Sequence, residues 1–403
     1  KTVRAAIVGA GEFGTSFVFQ ARRVPGLEVP AVCNRTVEKA VAAYINAGIS
    51  KEDLRICESE AQVKRAFDHG KFIAVSDGML LMGLPLDVLV EGTGNPEVAA
   101  RYAEAAISNG MHVAMVSKEA DSVIGPILWK KAKKNGVVYT TVEGDQPSLL
   151  IGLITWGRTL GMNIICAGKA SEYDFVYDPQ SKTVTCLDRV VHVPDFDNFW
   201  LMGNRTAAEI TENRSVALAA LPQRATPDLC EMGIVCNATG MQPSSEMFYA
   251  PVSRTVEVPE FLTTKDRGGL LEQTDVVDVI NCLRRPDEAS MSGGVFIVVD
   301  CEDRTSWKVL EAKGHPTNRQ GNSAMIYHPV HLLGVEAPIS VLAAALLNHA
   351  TGAEVMTPVC DLDGRATRNI KDGKILKAVG HHHVIEGVET LLLDAFKANC
   401  NNP

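Results

Sequence analysis

The sequence lacks the features that mark membrane, secreted and nucleic-acid-binding proteins. No apolar run reaches the length that a bilayer-spanning helix needs, and no signal peptide precedes the first strand-like run. There is no basic DNA-binding segment, and the net charge of −9 would repel a polyanion. We therefore expect a cytoplasmic protein that binds neither membranes nor nucleic acids.

Cysteine motifs are missing as well, although the chain contains 10 cysteines. None of them forms a CxxC pair, and several lie inside apolar runs, where a thiol behaves as a small hydrophobic group. This distribution favours free thiols in a reducing compartment over disulfides or a zinc site.

The sequence has 403 residues, a length that suits two or three domains. The pattern of apolar and polar residues changes along it. Short apolar runs alternate with helical stretches over residues 1–150, which predicts an α/β domain with a doubly wound parallel sheet of the Rossmann type. An α+β domain for catalysis, substrate binding and dimerisation is expected over residues 151–335, and a small β-rich module over 351–403. The amphipathic helix expected within residues 336–350 returns to the first domain.

The second domain shows β-like runs separated by long polar stretches. The runs predict strands at Asn163–Ala167, Gly233–Asn237 and Val295–Asp300. A sheet built from them would have a face to cover, so we expect a homodimer.

A glycine-rich turn follows the first predicted strand. In its GxGxxG pattern, Gly9 permits the tight turn, Gly11 lets the backbone approach a pyrophosphate, and Gly14 lets the next helix pack on the strand. The first amides of that helix, which begins near Glu12 and Phe13, would face the phosphates. We expect a dinucleotide to bind here.

The end of the second predicted strand bears on which dinucleotide is bound. An NAD site usually has Asp or Glu there to bind both ribose hydroxyls, but this chain has Asn34, Arg35 and Thr36. Arg35 would pair with a 2′-phosphate, which a carboxylate would repel, and its two neighbours would hydrogen-bond to it. The sequence therefore favours NADPH over NADH, with a solvated surface arginine as the alternative for Arg35.

Two later strands end in polar residues that would meet the reactive end of the cofactor, because the carboxyl ends of parallel strands share one edge. A flexible turn is expected beside the nicotinamide: Gly92, Thr93, Gly94 and Asn95. The next strand ends in Lys118 and Glu119, and the lysine there would orient substrate oxygens or assist proton transfer beside the nicotinamide. A solvated ion pair is the alternative for these two residues.

Two acids follow the last strand of this domain. Glu143 and Asp145 are two residues apart, so in an extended chain both carboxylates point into the same cleft. Paired oxygens suit a hard divalent cation such as Mg²⁺ or Mn²⁺. We expect these residues to bind a divalent metal, with solvated acids that bind none as the alternative.

Three stretches of the first domain together resemble homoserine dehydrogenases: VLVEGTGNPEVAA, GMHVAMVSKEADSVIG and VVYTTVEGDQP. The resemblance puts Lys118 at the position of that family's catalytic lysine and Glu143 at its strand-end glutamate. Ser117 stands where the family has Asn, and the family's later Asp and Lys have no match in this chain.

A closer resemblance, over nearly the whole chain, is to the 1-deoxy-D-xylulose 5-phosphate reductoisomerase-like oxidoreductases, or DRL proteins. It includes RAAIVGAGEFGTSF, CNATGMQP and YHPVHLLGVEAPIS. It implies isomerisation of a carbon skeleton through an aldehyde, then reduction by NADPH with a divalent metal, the first committed step of the methylerythritol phosphate route to isoprenoids. Near the C-terminus, TPVCDLDGRATRNIKDGKILKAVG resembles the β-rich SAF-type module, with packing or assembly as its implied role.

Further candidate residues lie in the second domain. The AGKASEYD stretch aligns with the substrate loop of homoserine dehydrogenases, and it offers Lys169 for a phosphate or carboxylate and Glu172 as an acid–base group or metal ligand. Three polar residues near the Gly233 run are expected to bind substrate: Asp228, Glu231 and Asn237. Surface charges and structural caps are the alternatives for all five.

Histidines supply the last candidates. His331 is expected to donate to substrate oxygens, because imidazole titrates near neutrality, and a packed structural histidine is the alternative. His381–His383 are adjacent, so their side chains diverge and are not expected to share one metal ion.

These observations leave three functions open. The leading one is an NADPH-dependent reductoisomerase of a sugar phosphate. The second is an NAD(P)-dependent dehydrogenase of a hydroxy acid or sugar acid, and the third is a non-catalytic protein that senses NADP(H). A substrate panel with both nicotinamides separates the first two, and a protein that only senses would show no turnover.

Overall fold

The structure, a computed structural model, describes residues 1–377 and 385–395, so His381–His383 lie outside the described residues. The chain divides into two compact units, each assembled from separate segments. The first contains residues 1–149 and 331–358, and the second contains residues 150–330 and the described residues from 359 onward.

The first unit is built on seven parallel strands in the order β3-β4-β2-β1-β5-β6-β7. In chain order these are β1 (Val3–Val8), β2 (Leu27–Cys33), β3 (Leu54–Ile56), β4 (Phe72–Val75), β5 (Val88–Glu91), β6 (His112–Met115) and β7 (Tyr139–Thr141). Only Arg4 of β1 is exposed, as expected for a central strand covered on both faces. The predicted Rossmann-type parallel sheet is confirmed.

Helices connect these strands. They are α1 (Glu12–Ala21), α2 (Val37–Asn46), α3 (Glu60–Asp68), α4 (Pro96–Ser108) and α5 (Lys118–Lys134). The start of α4 follows directly from its sequence: the Asn95 side chain accepts the N–H of Val98 at 3.0 Å, and Pro96 occupies the first turn. The boundary between the two units in the sequence falls within α6 (Gln146–Thr159).

The second unit contains a mixed sheet around the 15-residue strand β8, as the α+β prediction requires. Its strands are β8 (Ile164–Asp178), β9 (Thr183–Cys186), β10 (Arg189–His192), β11 (Gln242–Pro243), β12 (Val252–Ser253), β13 (Val276–Arg284), β14 (Val295–Asp300) and β15 (Ser323–His328). β8 pairs in parallel with β13 and antiparallel with β9 and β14. It begins where the Asn163–Ala167 run predicts a strand but continues far beyond it, because its later residues pair with β9 and β13.

The remaining helices of the second unit are α7 (Asp197–Trp200), α8 (Ala207–Ala217), α9 (Thr226–Thr239), α10 (Val258–Phe261) and α11 (Arg304–Ala312). In α8, Thr206 and Glu209 form a reciprocal capping box. Arg214 of the same helix is fully buried, where its guanidinium binds Glu257 and the carbonyl oxygens of Trp200 and Val252.

The strand predicted at Gly233–Asn237 is wrong, because this run belongs to helix α9. Every residue from Pro227 to Asn237 is buried, so apolar side chains occur on all faces of the helix and the helical period disappears from the sequence. Pro227 in the first turn and Gly240, whose φ of +79° suits a C-cap, bound the helix.

After residue 330 the chain enters the first unit again. There α12 (Ala337–Leu342) is followed by a π-helical turn at Ala343–Leu347. Ala337 and Val341 belong to the same hydrophobic core as β1 and α1. The expected helix within residues 336–350 thus forms as two shorter pieces.

The described C-terminal residues form an antiparallel pair, β16 (Cys360–Ala366) with β17 (Val388–Asp394), in the second unit. Asn237 on α9 accepts the N–H groups of Val359 and Cys360 at 2.8 and 3.1 Å, which holds the start of β16 against this helix. Across residues 1–377 and 385–395, no helix has both the length and the apolar character that a membrane crossing requires.

Candidate functional site

The glycine-rich turn after β1 has the backbone that its sequence predicts. Gly9 has a φ of +103°, and a Cβ on it would lie 2.1 Å from the carbonyl oxygen of Gly92. A Cβ on Gly14 would lie 2.0 Å from the carbonyl oxygen of Gly9, so both positions exclude any other residue. A Cβ on Gly11 would meet nothing within 4 Å.

Gly11 is therefore not required by the packing of the protein itself. It precedes α1 as the N-cap residue and offers no capping side chain, so the first amides of the helix, from Glu12 and Phe13 onward, have no side-chain cap. An open space over uncapped helix amides is what a pyrophosphate group needs. The turn fits the dinucleotide that the sequence predicts.

The three residues expected at the adenosine ribose follow β2, and they differ in their contacts and exposure. Asn34 Oδ1 accepts the N–H of Ala10 at 3.0 Å, and its amide group donates to the carbonyl oxygen of Thr36 at 2.9 Å. Asn34 thus ties the glycine-rich turn to the end of β2. Arg35 and Thr36 are exposed, and Arg35 provides a cation at this edge.

The turn at Gly92–Asn95 lies at the carboxyl end of β5, beside the glycine-rich turn. Its order depends on Glu91, the last residue of β5, whose Oε1 accepts both the N–H and the hydroxyl of Thr93, at 3.1 and 2.6 Å. Glu91 is fully buried, and its Oε2 has no hydrogen-bond partner among the described residues. Burial raises the pKa of Glu91, while hydrogen bonds with Ser117 and Thr93 oppose the rise.

The first turn of α5 carries the proposed catalytic lysine. Lys118 is its first residue, and Lys118 and Glu119 are both half-buried. A cation is disfavoured at a helix N-terminus by the helix dipole, so the position of Lys118 calls for a functional reason. The preceding residue, Ser117, accepts the N–H of Gly94 at 2.8 Å and so joins this helix to the nicotinamide turn.

A second buried acid lies one turn further along α5. Asp121 accepts the hydroxyl of Tyr139 at 2.7 Å, and its other oxygen has no partner among the described residues. Burial raises the pKa of Asp121 to about 7, although the Tyr139 hydrogen bond lowers it. Gly125 makes room for it, because a Cβ there would lie 2.3 Å from Asp121 Oδ1.

Glu143 and Asp145 do not lie in an extended segment. β7 ends at Thr141, and Gly144 between the two acids has a φ of +86°, which turns the chain. The geometric reason for a shared metal therefore fails. The N–H of Glu143 donates to Ser340 Oγ at 2.8 Å, and Asp145 Oδ1 accepts the N–H of Gln146 at 2.8 Å where α6 begins.

The expected divalent metal finds no assembled donor set. Within residues 1–377 and 385–395, no three His, Cys, Asp or Glu side chains gather as ligands for one ion. The metal assigned to Glu143 and Asp145 stays a prediction, and the steps proposed below use the groups of the chain itself.

The second unit brings together three of its predicted substrate residues in one buried cluster. Lys169 on β8 forms ion pairs with Asp228 and Glu231 on α9, the first at 2.8 Å. Asp228 also accepts the hydroxyl of Ser171 at 2.7 Å. All three charged side chains are at least nine-tenths buried, so their charges are balanced by each other rather than by water.

A β-bulge creates this arrangement. Ala170 pairs with Ile280 on β13, but the next pair joins Asp174 to Cys282, so four steps along β8 match two on its partner. The extra residues include Ser171 and Glu172, and such a bulge re-aims side chains, as is common beside active sites. Here it places Ser171 against Asp228 and leaves Glu172 half-buried within the bulge.

Two other predicted site residues are not members of this cluster. Asn237 uses its side-chain oxygen to hold the start of β16, which is a structural contact. His331 is half-buried in the segment that follows β15, and this segment belongs to the first unit.

Sequence reasoning missed Glu91, Asp121 and Ser171. The available signal for Glu91 was an acid that ends the apolar run VLVE, and for Asp121 an acid on the helix that Lys118 begins. These three residues differ from ordinary surface polar residues because their side chains are buried. Their burial can be recognised only once the strands and helices are packed.

Two family models match parts of the chain. Residues 9–141 match the NAD binding domain of homoserine dehydrogenase, and residues 144–337 match the catalytic domain of oxidoreductase DRL. Neither match alone covers half of the chain. Both matched families consist of oxidoreductases, and one of the matched domains binds NAD in its own family.

Comparisons with individual proteins are weaker. No curated protein matches this chain significantly. Biliverdin reductase from Synechocystis sp. PCC 6803, solved with biliverdin and NADP+, is 19% identical with a TM-score of 0.27, over 44% of this chain and 49% of that chain. The 1-deoxy-D-xylulose 5-phosphate reductoisomerase from Zymomonas mobilis, solved with NADPH, is 13% identical with a TM-score of 0.35, over 59% and 58%. The chain thus aligns with only about half of each, and these values carry no functional conclusion.

Proposed function

We propose that this oxidoreductase is an NADPH-dependent reductoisomerase that converts 1-deoxy-D-xylulose 5-phosphate into 2-C-methyl-D-erythritol 4-phosphate. The observation that carries the proposal is the DRL-type catalytic domain over residues 144–337. A dinucleotide turn joined to a basic end of β2 supports it, because the reaction ends in a reduction.

The choice of NADPH rests on Arg35. It is exposed at the end of β2, where an NAD site would have an acid, while Asn34 is committed to the glycine-rich turn. Arg35 is therefore the residue that would bind the 2′-phosphate.

Arg35→Glu tests this choice. The variant should bind NADPH at least about tenfold more weakly and prefer NADH, because the new carboxylate repels the 2′-phosphate and suits ribose hydroxyls. Lys39→Ala, which removes an exposed cation from α2, is the matched control. Equal loss of NADPH binding in both variants, measured by calorimetry, would refute a specific role for Arg35.

NADPH held by the glycine-rich turn and Arg35 would supply the hydride for reduction of the aldehyde formed by isomerisation. Lys118 is the group proposed to hold a proton at the developing alkoxide oxygen. In the second unit, the ammonium of Lys169 is the proposed hydrogen-bond donor to the polar groups of the substrate. The Ser171 oxygen, whose proton is donated to Asp228, is a proposed acceptor.

The substrate is tested by following NADPH oxidation with 1-deoxy-D-xylulose 5-phosphate and Mn²⁺. Lys118→Ala should lower turnover by about 100-fold or more while NADPH still binds, since removal of a proton-transfer group affects chemistry. Lys130→Ala, on the exposed face of the same helix, should leave both unchanged. An absence of NADPH consumption by the wild-type protein would reject this substrate.

A second candidate is a dehydrogenase of a hydroxy acid or sugar acid. The match of residues 9–141 to the homoserine dehydrogenase NAD binding domain favours it. A panel of such acids with NADP+ and NAD+ distinguishes it from the first candidate, because a simple dehydrogenase would reduce the nicotinamide without rearranging a carbon skeleton.

A further inference from the structure

We propose that Glu91 is a positioning residue that sets the place of the nicotinamide half of the cofactor by anchoring the Gly92–Asn95 turn from within the sheet. The inference rests on the proposed binding of NADPH and adds a residue that neither family match assigns. It is argued from three features of the turn: its hydrogen bonds, its neighbours and the unusual environment of the carboxyl group.

The hydrogen bonds of the turn start at Glu91. Its Oε1 accepts the N–H and hydroxyl of Thr93, and Thr93 Oγ1 in turn accepts the N–H of Asn95 at 3.3 Å. Asn95 then caps α4 through the N–H of Val98. One carboxyl group thus begins a series of contacts that runs through the turn to the next helix.

Two neighbours fix the turn from other sides. Ser117, in front of α5, accepts the N–H of Gly94, whose φ of +65° bends the chain. Gly92 lies so close to Gly9 that a Cβ on Gly9 would overlap the carbonyl oxygen of Gly92. Movement of the turn would therefore disturb the start of the helix that carries Lys118. The pyrophosphate turn is also held by the hydrogen bond from Ala10 to Asn34, which such a movement leaves in place.

The carboxyl group is held in a setting that suits its neutral form. It is fully buried, and Oε2 has no hydrogen-bond partner among the described residues. The loss of hydration therefore disfavours a negative charge by more than the hydrogen bonds to the carboxyl group favour it. The titratable groups that act on or respond to Glu91 are Glu119 on α5, Tyr139 on β7 and Cys33 on β2, and none of these three is a cation. Glutamine is therefore the closest replacement, since it is neutral and keeps an oxygen for Thr93.

The experiment compares two ligands by calorimetry: NADPH, and 2′,5′-ADP, which has the adenosine half and lacks the nicotinamide. Glu91→Ala should weaken NADPH at least about tenfold but 2′,5′-ADP by no more than about twofold, because only the nicotinamide end is displaced. Glu91→Gln should bind both ligands within about threefold of the wild type. Glu97→Ala, an exposed acid in the first turn of α4, is the control and should change neither affinity.

Thr93→Val provides a second route should Glu91→Ala fail to fold. It removes the hydroxyl bonded to Glu91, keeps the backbone bond, and should weaken NADPH more than 2′,5′-ADP. Equal weakening of both ligands in these variants, or no change in either, would overturn the positioning role. A Glu91→Gln variant as weak as Glu91→Ala would overturn the neutral form. Wild-type protein that binds neither ligand would instead overturn the proposed function, with Glu91 no longer at issue.

Discussion

At the scale of single residues, the most informative side chains are polar groups buried without a full set of hydrogen bonds. Glu91 and Asp121 each have one carboxyl oxygen with no partner among residues 1–377 and 385–395. Such groups cost stability, so natural structures retain few of them. Both lie in the first unit beside the turn and helix expected to meet the cofactor, which argues that their placement serves the site.

Asp121 predicts a specific dependence of stability on pH. Its pKa is about 7 in the folded protein against an ordinary value of 3.8. Between these two values the folded protein holds a proton that the unfolded chain has released, so the free energy of unfolding falls as the pH rises from about 4 to about 7. Above pH 7 the loss reaches roughly 4 kcal/mol.

Asp121→Asn should remove this loss, since the amide is neutral and its oxygen still accepts the Tyr139 hydroxyl. Urea unfolding at pH 5 and pH 8 should show the variant gaining stability over the wild type mainly at pH 8. Asp68→Asn, an exposed acid on α3, is the comparison and should show no such trend. A gain of the same size at both pH values would contradict the assignment to Asp121.

A substitution of Gly11 should affect the binding of NADPH without lowering the stability of the fold. Gly11→Ala should leave the free energy of unfolding unchanged or raise it by up to about 1 kcal/mol, because the new methyl group meets no protein atom. It should weaken NADPH at least about tenfold, because the backbone no longer approaches the pyrophosphate. Thermal unfolding and calorimetry on the same samples measure both, with Gly83→Ala, also in open space, as the control. An unchanged NADPH affinity would place the pyrophosphate elsewhere.

At the scale of elements, sequence patterns succeed where local signals define both ends. Helix α4 has the predicted bounds because Asn95 and Pro96 fix its start, and β14 is an uninterrupted apolar run. They fail where tertiary burial decides. Helix α9 is buried on every side and so has no helical period, and β8 extends past its apolar core because β9 and β13 pair with it. The acids at Glu143 and Asp145 show the same limit, since a turn replaces the extended chain on which their shared direction depended.

The contact between α9 and β16 predicts that Asn237 stabilises the start of β16. Asn237→Ala removes the acceptor for two backbone N–H groups, those of Val359 and Cys360, and should lower the free energy of unfolding by about 2–4 kcal/mol. Hydrogen exchange should become faster at these two amides in particular. Asn237→Asp keeps an acceptor oxygen and should restore slow exchange, whereas Asn135→Ala on the exposed end of α5 should have little effect. Unchanged exchange in Asn237→Ala would show that the contact does not hold β16.

At the scale of the whole molecule, the state of the cysteines agrees with the prediction of free thiols. The nine cysteines of the described residues are free and buried. Burial raises the pKa of Cys33 and of Cys301 to about 12, so the reactive thiolate is scarce at neutral pH. These cysteines have no role that the structure makes evident beyond filling the core.

A thiol-labelling experiment checks this. In a Cys400→Ser background, which leaves only these nine, an aromatic disulfide reagent should label the native protein slowly and all nine thiols quickly in denaturant. Addition of NADPH should not accelerate the slow phase. Rapid labelling of even one thiol in the native protein would reveal an accessible cysteine and refute the assignment.

The alternation of strands and helices was sufficient to predict an α/β region followed by an α+β region. It was not sufficient to predict which later segments of the chain belong to each region. Ser340 binds the backbone of Glu143, and Gly352 packs against Thr141 so closely that a Cβ would lie 2.2 Å from its hydroxyl. These contacts join positions about 200 residues apart, a separation that local patterns cannot encode.

That closure of the first unit by residues 331–358 has a consequence during translation. A ribosome makes the seven strands of the nucleotide-binding sheet early. The segment that covers the end of β7 begins only about 190 residues after that strand ends. Through that interval the nascent sheet keeps an apolar face uncovered where Ala337 and Val341 later pack. The hydrophobic core of the first unit is therefore completed only after residues 331–358 have been synthesised.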